Sequence, residues 1–449
     1  MINELGKFVA GTRYEDLPPV VIELAKTRIL DLLSAGLAGF RLGLYRPLFE
    51  ILGGKEEATV WGAGVRYPLR DAALLNSFMA HSTYMEDGSR YTGGHPSSTV
   101  IPAVLALGEI RKTSGKEIIL SVVVGYDVFL RLGKAVYPST TVRGFQSTPV
   151  VGALGSAAAC ASLLRLDPEQ AKNALAISSN LGAGLKEALK TPDSQPLQVG
   201  RSSEGGILSA LFAEKGVSGC ESILEQGFLK AFADQTNEGE ILMDLGERYL
   251  IEETYVKIHG GCRGNHAPTD LILSLVKEHN ISSEEIKEIR VQVDSVTMIA
   301  EIHHPASGKE AQFSIPFSVA VAILDGNASL YQFTDDKVHD PKVRELMGKV
   351  SVELDKRLDE DYPKKRGSHG EIILKDGRRL VSSIDMARGE PESPLSVEEI
   401  REKFRLLTRD ILGRRGSEVC DLVMRMERLK DVGEIVEKLI AERRSDGKG

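Results

Sequence analysis

Apolar residues recur at three- and four-residue spacing over most of the first 280 positions, which is the period of an α-helix with one buried face. VVIELAKTRILDLLSAGLAGF, residues 20–40, follows Pro18 and Pro19, and Pro19 suits the first helical position. LRDAALLNSFMAHSTYM, residues 69–85, predicts a second helix; Ser98 is expected to cap TVIPAVLALGEIRK; and a third begins at Lys116 with EIILSVVVGYDVFLRLGKAV. Further helices are expected over 150–166, 168–179 and 204–215. These segments follow no fixed period, which argues against a solenoid and for a large all-helical domain.

The pattern changes after His279. IKEIRVQVDSVT alternates like a strand and KVSVELDKRL resembles another, while HGEIILKDGRRLVSSID predicts a hairpin whose Asp376-Gly377 turn suits two positive-φ positions. QFSIPFSVAVAILDG between them reads as a helix packed on that sheet. GEPESPLS, residues 389–396, is a linker before two final helices. The expected fold class is mainly α: a helical domain of residues 1–270 and 397–449, with a smaller α+β lid domain of 271–396 inserted. A cleft between the two is the default ligand site.

Composition narrows the classes of function. The 449 residues carry 56 basic and 64 acidic side chains, a formal charge of −8, which disfavours nucleic acid or an anionic membrane as partner. Cys160, Cys220, Cys262 and Cys420 are scattered without a Cys-x-x-Cys pair, so neither a zinc ribbon nor a disulfide framework is expected. The start of the chain lacks a basic segment followed by an apolar one, and VVGALGSAAACASLL is too short for a membrane span. A cytoplasmic, soluble protein is the expectation.

No phosphate-binding Gly-x-x-x-x-Gly-Lys-Ser/Thr occurs, and His303-His304 and Cys262-x-x-x-His266 fall short of a metal set, so no cofactor and no metal are expected. What remains is three glycine-bearing segments, each read as a loop running into a helix: MEDGSRYTGGHPSS from Met85, QPLQVGRSSEGG from Gln195, and VKIHGGCRGNHAPTD from Val256. Free N–H groups at helix starts attract anions, and Arg90, Arg201, Lys257 and Arg263 would add charge there. Such loops suit a small carboxylate substrate, with His95 and His266 able to move protons near neutral pH.

Each residue also has a plainer reading. Glu86 and Arg90 could form a surface salt pair, His81 could be a packed core histidine, and His95 could simply open a helix. Lys257 and Arg263 could be solvated loop charges, and Cys262 a small buried hydrophobe. From the residues alone, the chain is a cleft enzyme for an acidic metabolite.

The motifs EDGSRYTGGHPSSTVIPAVLALGE, GFQSTPVVGALGSAAACASLLRL, QPLQVGRSSEGG, KIHGGCRGNHAPTD and FSIPFSVAVAILDG, in that order, resemble the MmgE/PrpD family across essentially the whole chain. That family includes 2-methylcitrate dehydratase, cis-aconitate decarboxylase and iminodisuccinate epimerase. The resemblance implies a helical domain with an α+β lid, usually a homodimer. It also implies lyase or isomerase chemistry by proton transfer beside a carboxylate, without metal or organic cofactor. Carried over position by position, it implies His95 as acid/base, Lys257 as base or electrostatic partner, and Asp87 as the group orienting them. Arg90, Arg201 and Arg263 are then expected to clamp carboxylates, with Cys262 and His266 at the later positions of the third motif.

The chain departs from the family at substrate-contacting positions. Where dehydratase and decarboxylase relatives show Phe-His-Pro it has Phe145-Gln146-Ser147, and where they place lysine before Pro-Leu-His it has Gln195. Family membership survives these changes, but the substrate does not transfer with them. The alternatives are 2-methylcitrate dehydratase proper and a carboxylate-binding protein of the same fold without catalysis. A metal-dependent hydratase conflicts with the scattered cysteines.

Overall fold

A computed structural model describes residues 1–43, 45–190 and 194–441. In chain order, the longer elements begin with α1 (Ile2–Gly11), α2 (Pro19–Leu42), strands β1 (Ala58–Val60) and β2 (Val65–Tyr67), and α3 (Leu69–His81). Then come α4 (Pro96–Arg111), α5 (Gly115–Val136), α6 (Ser147–Leu163), α7 (Pro168–Ser178), α8 (Gln195–Glu214) and α9 (His266–Glu278). The remainder is β3 (Ile286–Val293), α10 (Ile315–Asp325), β4 (Val350–Leu354), β5 (Ser368–Leu374), β6 (Arg379–Ile384), α11 (Val397–Leu412) and α12 (Arg415–Met424).

The chain divides into two compact units. One comprises Met1–Ser82, Glu86–Thr254 and Ser396–Gly449; the other comprises Thr83–Met85 and Tyr255–Leu395. The junction after the helical part therefore falls at Thr254, not at 270, so the third motif belongs to the α+β unit. Three residues of the first motif's approach, Thr83–Met85, belong there as well.

In the helical unit α6 packs against α4, α5 and α8, while α2 packs against α3 and the C-terminal α11. α6 is buried along its whole length because Gly152, Gly155 and a run of alanines let neighbouring backbones close in. Ser114 and Glu117 form a reciprocal capping box on α5, and Ser396 and Glu399 do the same on α11. One start differs from expectation. Pro96, not Ser98, leads α4, with His95 at the N-cap position. Pro102 inside α4 cannot donate to the Ser98 carbonyl, and the Ser77 hydroxyl of α3 takes that place at 2.6 Å.

The second unit is built on a four-stranded sheet of order β4-β3-β5-β6. β3 runs parallel to β4 and antiparallel to β5, which is antiparallel to β6. A register shift between Ile286 and Glu288 allows Ile286 and the odd-numbered Ile289, Val291 and Val293 all to be buried. Their core partners include Leu271, Ile272 and Leu275 of α9 and Phe317 and Val321 of α10. The hairpin turn has one positive φ, at Gly377 (+91°), rather than two, and Leu374 N donates to Arg378 O at 2.9 Å. A three-residue turn closed by a left-handed glycine meets the strand twist without asking Asp376 to adopt positive φ. The short β1–β2 pair gave no period long enough to stand out in the sequence.

Candidate active site

The first motif is no solvated turn. Residues 81–90 are all buried, and Ser89 N donates to Gly94 O at 3.0 Å, which folds the segment back on itself. Glu86 and Arg90 are 0% and 2% exposed, so the surface salt pair is excluded. The Arg90 guanidinium lies over the Tyr91 ring, 4.9 Å from its centre, with Nη2 3.1 Å from the phenol oxygen.

Two histidines face one carboxylate there. His81 Nδ1 is 3.0 Å from Glu86 Oε1, and His95 Nδ1 is 3.5 Å from the same oxygen. Their rings meet edge-on with centres 5.6 Å apart. His95 Nδ1 also bonds the main-chain carbonyl of Asp87, and a carbonyl only accepts, so Nδ1 carries the proton. In neutral His95 the basic nitrogen is therefore Nε2. His81 Nε2 lies 2.7 Å from the amide nitrogen of Gln195, an N–H donor, which directs the ring proton of His81 toward Glu86. His81 is thus part of the cluster rather than a packed core histidine.

Asp87 sits behind this cluster. It is fully buried; its Oδ1 accepts the Ser97 amide at 3.2 Å and its Oδ2 accepts the Tyr126 hydroxyl at 2.8 Å. Asp87 thereby caps α4, a task the His95 side chain does not perform. Burial raises its pKa to about 6, opposed by the Arg28 guanidinium and the bonds from Ser97 and Tyr126. The His95 amide is tied to the Thr148 hydroxyl at 3.1 Å, near the start of α6. Gln146 is the N-cap residue of α6, and its buried Oε1 has no hydrogen-bond partner among the described residues.

Two expectations about the second motif are corrected. Gln195–Glu214 is one continuous helix rather than a loop leading to residue 204, because Gln195 and Pro196 open it. Arg201 consequently lies inside α8 with its side chain 63% exposed and paired with Glu204, not at a helix mouth.

The third motif behaves as a loop running into α9. Lys257 is 1% exposed and its Nζ donates to the Tyr84 carbonyl at 2.8 Å, so it is no solvated loop charge. Tyr84 holds a left-handed φ of +54°, and the Thr83 carbonyl accepts from Gln312 Nε2 at 3.0 Å. Gly261, at φ +98°, is where a Cβ would strike the Gln312 carbonyl at 2.3 Å. Cys262 is half-buried, and its amide donates to that carbonyl.

Arg263 is not a spare clamp. Its Nε and Nη2 pair with buried Glu390 at 2.8 Å, Nη1 bonds His266 Nδ1 at 3.0 Å, and both terminal nitrogens reach the Arg388 carbonyl. A guanidinium has five N–H donors, and this set engages all three of its nitrogens internally. Because Arg263 donates, His266 accepts at Nδ1 and holds its proton at Nε2 in the neutral form. His259 Nε2 is bonded to Asp270 Oδ1 at 2.8 Å, which stiffens the same loop.

Sequence reasoning missed Glu86 and His81 as site residues, and Arg28, Tyr84 and Gln312 altogether. The available signal was charge in helical stretches that turn out buried: Arg28 lies between Lys26 and Asp31 in α2, and Glu86 precedes the expected Asp87. Among the described residues no group of three or more His, Cys, Asp and Glu side chains is placed to hold a metal ion. None of the described helices is long and apolar enough to cross a membrane.

The MmgE/PrpD N-terminal domain matches residues 3–240 and the MmgE/PrpD C-terminal domain matches residues 259–426. The chain belongs to the MmgE/PrpD family. A cis-aconitate decarboxylase of Aspergillus terreus is 28% identical over 97% of this chain and 95% of its own length. The cis-aconitate decarboxylase of Homo sapiens is 29% identical over 88% of this chain and 85% of its own. A mitochondrial 2-methylcitrate dehydratase of Yarrowia lipolytica is 24% identical over 80% and 74%. This MmgE/PrpD chain is an enzyme of that lyase type, and the junction between its two matched domains spans the same stretch, near residue 254, as the division into compact units.

Proposed function

We propose that this enzyme removes a proton from a carbon beside a carboxylate of a small di- or tricarboxylic acid, without a cofactor. From the carbanion, expulsion of a leaving group on the neighbouring carbon gives elimination and reprotonation on the opposite face gives inversion; in decarboxylation the carbanion arises instead by loss of CO2 and takes up a proton from the same groups. The observation that carries the reading is the buried cluster of His81, Glu86, His95 and Gln195, in which hydrogen bonding leaves Nε2 of His95 as the basic nitrogen. Glu86 faces Nδ1 of both imidazoles and stabilises whichever of them gains a proton. Lys257 serves as base or as the cation that offsets charge developing on the substrate carboxylate, and Arg90 supplies a further cation. Asp87 acts through His95 and α4, as a positioning group.

The names of the relatives support carboxylic acids as the substrate class. Gln146 and Gln195 favour a dicarboxylate, since an amide bonds a carboxylate without charge and charge-assisted bonds are roughly twice as strong. A third carboxylate buried against neutral amides would be poorly compensated. Family resemblance also supports a homodimer, which sedimentation of the purified protein tests.

The test is incubation in deuterated water with cis-aconitate, 2-methylcitrate and a panel of four- and five-carbon diacids, followed by NMR. Deuterium at a carbon beside a carboxylate is the expected result. No label and no turnover across the panel, with tight binding of one diacid, would instead make this a carboxylate-binding protein.

A further inference from the structure

The helical unit contains a row of buried charges that leads to the first motif. Lys403 of α11 bonds Asp31 of α2 at 2.5 Å, and both are almost fully buried, with side chains 7% and 1% exposed. One turn earlier on α2, Arg28 is 5% exposed, and its Nε lies 3.9 Å from Asp87 Oδ2. The same guanidinium donates to Thr254 twice, from Nε to the hydroxyl at 2.9 Å and from Nη2 to the carbonyl at 2.8 Å. Signs alternate along the row: Lys403, Asp31, Arg28, Asp87. Burying four charges is costly unless each has its counter-charge, and removing one of them leaves another uncompensated.

Its ends indicate what depends on it. Asp87 caps α4 through Ser97 and, through its main-chain carbonyl, fixes the proton of His95 at Nδ1. Thr254 lies three residues ahead of Lys257 in sequence. Arg28 thus contacts Asp87 and Thr254 from one helix. The carboxylates of Asp87, 3.9 Å away, and of Asp31 attract the guanidinium electrostatically, while its hydrogen bonds go to Thr254.

We propose that Arg28, anchored by Asp31 and Lys403, is a positioning residue of the reaction: it holds Asp87 and thereby the ring orientation and tautomer of His95. This rests on the reading of His95 as acid/base. It implies that a charge pair reaching to α11, whose atoms touch no reacting group, tunes turnover rather than substrate binding.

The test uses the full-length protein labelled with 15N-histidine. In the wild type the His95 resonance, assigned with His95→Asn, should show the neutral Nδ1–H form. Arg28→Lys keeps the charge beside Asp87 but loses the fork that bonds Thr254 twice, and Arg28→Met loses both. The expected result is a graded shift of the His95 15N signals toward a tautomer mixture, smaller in Lys than in Met. On whichever acid of the deuterium panel the wild type turns over, kcat should fall about 10- to 100-fold with KM changed less than about threefold. Should both Arg28 variants fail to fold, Asp31→Asn combined with Lys403→Met removes the anchoring pair without changing net charge, and the same His95 shift is expected.

Unchanged His95 signals and unchanged kcat in a folded variant overturn the proposal, even if its melting temperature falls. The outcomes separate the two readings. A His95 shift in an otherwise inactive protein leaves the positioning role and removes the catalytic one. Normal turnover by the wild type with no response to Arg28 does the reverse.

Discussion

At the scale of single residues, burial decides chemistry that composition leaves open. His95→Asn should cut turnover at least about 10²-fold, the usual scale for a positioned proton-transfer group, and leave melting almost unchanged, because the asparagine amide can take the place of the Nδ1–H that bonds the Asp87 carbonyl. Lys257→Met should lose as much activity and also about 1–3 kcal/mol of stability, since it strips the Tyr84 carbonyl of a buried donor. Rates on the active acid together with thermal melts separate the two cases. Asp87 offers a test by pH. Its pKa rises from 3.8 to about 6 on folding, so the folded state holds the proton more tightly and the associated stability is complete below about pH 4. That stability is lost as pH rises through 6, by about 3 kcal/mol at 1.36 kcal/mol per unit. Asp87→Asn should flatten this part of the curve of stability against pH; an unaltered slope between pH 4 and 7 would count against it.

At the scale of elements, caps and breaks are where sequence and tertiary structure meet. Proline-led starts were legible: α2 opens at Pro19 and α7 at Pro168. The start of α4 was not, because its cap comes from Asp87, outside the helix and ten residues from the Ser97 amide it accepts. α10 has a comparable device. Both oxygens of Glu301 accept the Ile315 amide, at 3.2 and 3.1 Å, and burial lifts the Glu301 pKa to about 8. Stability from this group is complete below the unfolded value of 4.5 and lost as pH rises through 8. Glu301→Gln keeps an acceptor and no charge, so it should be nearly neutral at pH 4 and increasingly stabilising from there to above pH 8, read from melts at those two pH values. A variant equally stable to the wild type at both would show that the carboxyl titrates normally.

At the scale of the whole molecule, the helical unit is closed by its own C-terminal segment. α11 packs on α2, and the Lys403–Asp31 bond joins positions 372 apart. Two predictions belong here. Activity should survive exhaustive chelation, because cationic side chains at Lys257 and Arg90 can stabilise a carboxylate without a Lewis acid; loss with EDTA and recovery with one divalent ion would contradict it. The kcat/KM for 2-methylcitrate should fall below the ordinary enzyme range of ~10⁴ M⁻¹s⁻¹ and below that for a diacid, measured side by side. The reason is the pair Gln146 and Gln195, one with a buried oxygen lacking a hydrogen-bond partner among the described residues and the other engaged with His81.

The sequence by itself determined the helical periods, the strands after residue 280, the motifs that place the chain in its family, and the candidacy of His95, Asp87 and Lys257. These are local properties: a period of 3.6 or 2 and a run of motif residues are written within a few turns of chain. Only the tertiary structure decided which charges are buried and what they face. Glu86 and Arg90 proved buried rather than superficial, Arg263 proved committed to Glu390 and His266, and Arg201 proved exposed inside a helix. His81, Arg28 and Lys403 gained their places from partners far away in sequence. A charge has no period; its cost or use is set by the dielectric and the counter-charge that folding brings to it, and neither exists until distant segments meet.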